Sequence, residues 1–65
     1  MIELYTADFE ETPLEKALQN ANMEYQLCID LGQYGLKAPY LVVDGVPLDA
    51  KHAKIWIKEH NKNDN

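Results

Sequence analysis

The chain has 65 residues with one cysteine, two histidines and a net charge of −5. That length supports a single domain near the lower limit for unaided folding. One cysteine excludes an internal disulfide, and with two histidines at these spacings it excludes a metal cluster and implies no cofactor.

At 46% hydrophobic, the composition is that of a globular chain rather than a disordered one. No apolar run approaches the roughly 20 residues of a membrane span, and the acidic start MIELYT does not read as a signal peptide. The reading is one cytoplasmic domain over residues 1–61, with a frayed tail at 62–65.

Ile2 and Leu4 share a face in the β-rich stretch IELYT, which predicts a strand over 2–6. In TPLE, Thr12 is placed to cap a helix, Pro13 to open it and Glu15 to close a capping box. Leu14, Ala17, Leu18 and Ala21 follow at i, i+3, i+4 and i+7, one apolar stripe. Asn20 and Asn22 end that helix. EYQLCID then alternates, with Tyr25, Leu27 and Ile29 opposite Glu24, Gln26, Cys28 and Asp30, which predicts a strand with one well-buried side.

Gly32 and Gly35 mark LGQYGLKA as irregular, and the near-continuous apolar run PYLVV predicts a strand buried on both faces. Asp44-Gly45 is a strong type I′ hairpin signal, and Pro47 assigns the next short strand to a sheet edge. Asp49 caps a final helix whose stripe runs Ala53, Trp56, Ile57, His60. The order is β-α-β-loop-β-β-α. A strand–helix–strand unit implies a parallel pair with a right-handed crossover, so the fold class is α+β in two or three layers.

With IELYT in front and GLKAPYLVVDG behind, that order resembles the glutaredoxin branch of the thioredoxin fold over most of residues 2–60. The resemblance implies a minimal thioredoxin/glutaredoxin-like fold, β-α-β-β-β-α, with a four-stranded mixed sheet and the middle helix reduced to a loop. It implies a cis Ala38–Pro39 bond and places the third strand on the far side of the first. The segment from Leu31 to Ala38 must then cross about 10 Å, two strand spacings. At about 3.3 Å per residue it reaches well beyond that.

The same comparison removes the expected chemistry. The family's two cysteine positions fall on Glu10 and Pro13, and its usual lysine on Ala7. Lys37 stands where a threonine is common, and Pro47-Leu48 replaces a glycine pair that holds glutathione, leaving Asp49 of that set. A redox loop needs a thiolate at a helix N-terminus beside cations. Here Asp8, Glu10 and Glu11 surround that position; they suit the helix dipole and would repel anionic glutathione.

Cys28, the only sulfur nucleophile, falls mid-strand among acidic neighbours that raise its pKa, the setting of a small apolar filler. His52 and His60 lie two helical turns apart and cannot share one ion; His60 suits a helix C-terminus. Glu10 and Glu11 lack partners that would split their pKa values for hydrolysis. Arginine is absent, which removes bidentate recognition of phosphate or guanine and argues against nucleic acid.

Residues 1–15 carry Glu3, Asp8, Glu10, Glu11 and Glu15 without a base, while Lys51, Lys54, Lys58 and Lys62 crowd the other end. Phe9, Tyr34 and Tyr40 would gather beside Ala38 and Pro39, as an apolar patch ringed by acids or as filling for the space of the missing helix. The resulting expectation is a non-catalytic module that binds a protein or extended peptide with a basic surface through Phe9, Glu10, Tyr34, Ala38, Pro39 and Tyr40. Two alternatives stay open: thiol–disulfide or redox-switch chemistry through Cys28, and a structural homodimer covering the area of the lost helix.

Overall fold

A computed structural model describes residues 1–8 and 11–61. Phe9 and Glu10, and the tail at 62–65, lie outside the described residues. The elements run β1 (Ile2–Thr6), α1 (Pro13–Asn20), β2 (Gln26–Ile29), β3 (Tyr40–Val43), β4 (Val46–Leu48) and α2 (Ala50–Glu59). They form an α+β structure with an open mixed sheet in the order β2-β1-β3-β4. β1 and β2 are parallel, with Tyr5 opposite Cys28; β1 and β3 are antiparallel, with Leu4 opposite Leu41 and Tyr5 opposite Tyr40.

Both helices lie on one face of this sheet. Leu14, Leu18 and Ala21 of the first helical stripe meet Ala53 and Ile57 of α2 over Leu4 and Leu41. Leu4, Leu14, Leu18 and Leu41 are at most 1% exposed. Each such burial is worth about 1.5–3 kcal/mol of transfer free energy. The opposite face gathers Tyr5, Tyr40 and Val42, with Cys28, Leu36 and Ala38 packed against them. The segment between β2 and β3 therefore folds back over the sheet and covers the face that has no helix.

β3 is buried on both faces, as its run of apolar residues requires: Tyr40, Leu41 and Val42 are each 0% exposed. At the hairpin, Asp44 and Gly45 both take positive φ, 50° and 85°, which is why an Asp-Gly pair stands there. Pro47 lies on edge strand β4, opposite Val42.

β2 departs from expectation. It is shorter than the alternation suggested, and Leu27, Cys28 and Ile29 are all half-buried, with no well-buried side. The reason is position: β2 is an edge strand, so each face meets core on one flank and solvent on the other. The α2 stripe likewise stops short, because His60 is the exposed C-cap and stacks flat on Trp56 at 4.3 Å.

The capping box before α1 forms by half. Thr12 Oγ1 accepts from the Glu15 amide at 3.3 Å, but the Glu15 carboxylate accepts the Tyr25 hydroxyl instead, at 2.8 Å. Gln19 Nε2 donates to the same hydroxyl, tying the approach to β2 onto α1. Thr12→Ala removes the cap and is expected to cost about 1 kcal/mol. Thermal melts should show a drop of roughly 4–8 °C for a domain this small. At α2, Asp49 accepts from the His52 amide at 2.8 Å, and that bond, aided by the His52 ring, holds the Asp49 carboxyl below its ordinary range.

Among the described residues, no helix is long and apolar enough to cross a membrane. No group of three or more His, Cys, Asp or Glu among them is placed to hold a metal ion.

Candidate functional site

The carboxyl ends of β1 and β2 carry Thr6 and Ile29, and β3 begins beside them at Tyr40. The peptide bond between Ala38 and Pro39, which brings the chain into β3, is cis. The Ala38 N–H and C=O make no backbone hydrogen bond to another described residue. Ala38 and Pro39 are half-buried, and Lys37 beside them is exposed.

Three tyrosines support the Ala38–Pro39 segment, which forms a ledge at this end of the sheet. Tyr5 and Tyr40, brought opposite each other by the antiparallel register, stack at 5.1 Å with ring planes 7° apart. Tyr34, from the loop, sets its ring edge-on to both, at 5.4 Å from Tyr5 and 6.0 Å from Tyr40. The Tyr40 hydroxyl donates to Asp30 Oδ1 at 2.7 Å. The same oxygen accepts the Gly32 amide at 3.0 Å, while the Asp30 amide donates to the Thr6 carbonyl at 2.8 Å. Leu31 donates its amide to Gln33 Oε1, and Thr6 donates its hydroxyl to the Asp8 carbonyl. One carboxylate thus fastens the loop, β2 and β3 together.

Burial raises the pKa of both stacked phenols. The hydrogen bond and the charge of Asp30 push Tyr40 further, and Tyr5 is pushed up to about 12 with help from Tyr34 and Glu3. Neither hydroxyl ionises near neutrality, so the cluster offers no general base there.

The structure brings together Tyr34, Ala38, Pro39 and Tyr40 of the residues singled out from sequence, in unequal roles. Tyr34 is 37% exposed, whereas Tyr40 is 0% exposed and forms the floor beneath the surface rather than the surface itself. Tyr40 thus fills the sheet face that carries no helix. Phe9 and Glu10 lie outside the described residues. Tyr5 and Asp30 complete the cluster and were not singled out as site residues. The alternation of IELYT against PYLVV carries the signal for Tyr5: Leu4 and Leu41 face the helices, so Tyr5 and Tyr40 must share the other side.

Cys28 lies on β2 opposite Tyr5, packed into the cluster on the sheet face that carries no helix. Burial raises its pKa first and the Glu3 carboxylate second, rather than its own strand neighbours; contact with Tyr5 only partly offsets them. Iodoacetamide at neutral pH should therefore label native protein slowly, and at least about tenfold faster once denatured. Rapid native labelling, followed by mass spectrometry, would contradict that placement.

No family model matches this chain, nor does any curated protein or any solved structure.

Proposed function

We propose that the chain is a minimal glutaredoxin-like, thioredoxin-fold module without redox chemistry, which binds an extended segment of a protein partner at the Ala38–Pro39 surface. The observation that carries this reading is the Ala38 backbone. Its N–H and C=O have no backbone partner among the described residues, although only Pro39 separates them from a strand whose first three residues are buried. An extended segment can supply both bonds, and main-chain pairing of this kind gives affinity without a nucleophile. The exposed flank of Tyr34 provides apolar contact, and the exposed carboxylates of Asp8 and Glu11 favour a basic partner. The raised pKa of Cys28 and its place on the sheet face without helices support the absence of thiol catalysis.

Selection of unstructured peptides from a display library, followed by amide-shift titration, tests this. Binders should be rich in basic residues, shift the Ala38 amide, and lose about fivefold or more in affinity to Tyr34→Ala. The same preparation should not reduce insulin or glutathione disulfides. Turnover that disappears in Cys28→Ser would overturn the reading.

A further inference from the structure

Two hollows open at the other end of the sheet, where β1 and β2 begin. The larger, about 490 Å3, is walled by Ile2, Ala21, Met23, Glu24, Trp56 and His60. The second, about 410 Å3, adjoins it, and Ile2 and Glu24 line both. The first has the size of a small-molecule site.

Among the described residues lining the larger hollow, Glu24 supplies a carboxylate and there is no lysine. Ala21 is the C-cap of α1 and His60 the C-cap of α2, so both helices turn their carbonyl ends toward it. The last turn of α1 carries no base to neutralise that end. Glu24 is exposed, and its carboxylate makes no ion pair or hydrogen bond with another described residue. The Trp56 indole adds an aromatic wall, one face of which is already stacked on the His60 ring at 4.3 Å, so its free edge meets the hollow. Of the nearby cations, Lys58 does not line either hollow, and the Met1 ammonium at the rim of the second is paired with Asp44. His60 is committed through Nδ1 to the Trp56 carbonyl at 2.9 Å. Ile2, Ala21 and Met23 make the rest of the wall apolar except for the polar Asn22.

The geometry points to a binding site for a small organic ammonium with a flat apolar body, its charge beside Glu24 and its body against Trp56 and Met23. This site is separate from the Ala38 surface and does not depend on any role for it. A second copy of the chain is disfavoured on net charge, since each copy carries −5.

Phenethylammonium chloride titrated into the full chain tests the assignment, with phenethyl alcohol as the neutral comparator. Trp56 is the sole tryptophan and lines this hollow, so its fluorescence follows binding there. The ammonium should bind saturably in the millimolar range, shifting the Met23 and Glu24 amides and the Trp56 indole N–H. The alcohol should bind at least about fivefold more weakly. Glu24→Gln, an exposed substitution that leaves the core intact, should bring the ammonium down to the level of the alcohol. Absence of saturation, equal affinity for the two probes, or unchanged affinity in Glu24→Gln would each overturn the site. So would binding of an acetyl-Gly-Lys-Gly-amide peptide in place of the free amine, or a sedimentation profile showing dimers with the hollow covered.

Discussion

Leu41→Ala is expected to remove most of the protein's stability. Leu41 is 0% exposed at the centre of β3, paired with Leu4 on one side and Leu48 on the other, and it sits beneath both helices. Truncating such a leucine loses its transfer energy and leaves a cavity, a cost of about 2–5 kcal/mol. A 65-residue chain carries a total stability of roughly 3–10 kcal/mol. No disulfide can offset the loss, because the single cysteine is free. Thermal unfolding should move down by roughly 10–40 °C. Val46→Ala is the control: it removes a branched side chain that is 58% exposed on edge strand β4, and should cost less than about 0.5 kcal/mol. Similar losses in the two variants would mean that the core is not centred on β3.

The elements themselves were legible because their signals are local. Pro13 behind a capping threonine, the Asp44-Gly45 pair and Pro47 each act over a few residues, and the helix start, hairpin and edge strand stand where those residues put them. Burial of β2 was not legible in the same way. Alternation assigns Leu27 and Cys28 to opposite faces, but only the strand's place at the sheet edge decides how much of each face is covered.

The candidate site divides along the same line. Tyr34, Ala38, Pro39 and Tyr40 could be named from their proximity to the proline segment. The stack of Tyr5 on Tyr40 needs the β1–β3 register, and the Asp30 contact needs the loop to fold back, which no periodicity in LGQYGLKA announces. Half of the capping box failed for a related reason: Tyr25, remote in sequence from Thr12, competes for the Glu15 carboxylate and wins.

Tyr40→Ala is expected to rival Leu41→Ala in cost, and comparison with Tyr40→Phe separates what the ring and the hydroxyl each contribute. Loss of a fully buried aromatic ring costs about 3–5 kcal/mol. The stack with Tyr5 and the edge contact with Tyr34 disappear with it. Tyr40→Phe keeps the ring and removes only the bond to the Asp30 carboxylate, a loss of about 1.5–3 kcal/mol. Gly32 still donates to that carboxylate, which places the expected value toward the lower end.

Alkali supplies an independent reading of the same pair. The folded protein holds the Tyr40 pKa above its ordinary value of 10, and Tyr5 is held near 12. The unfolded chain releases these protons first, so the stability linked to them is complete below pH 10 and declines as pH rises through the folded values. Tyrosinate absorbance from the buried rings should therefore appear together with loss of circular dichroism, and the decline should be shallower in Tyr40→Phe. Ionisation of all four tyrosines near pH 10 with the fold intact would contradict the buried stack. Because Tyr40 supports the ledge without reaching its surface, Tyr40→Phe should lower stability while peptide affinity per folded molecule holds, and Tyr34→Ala should weaken that affinity.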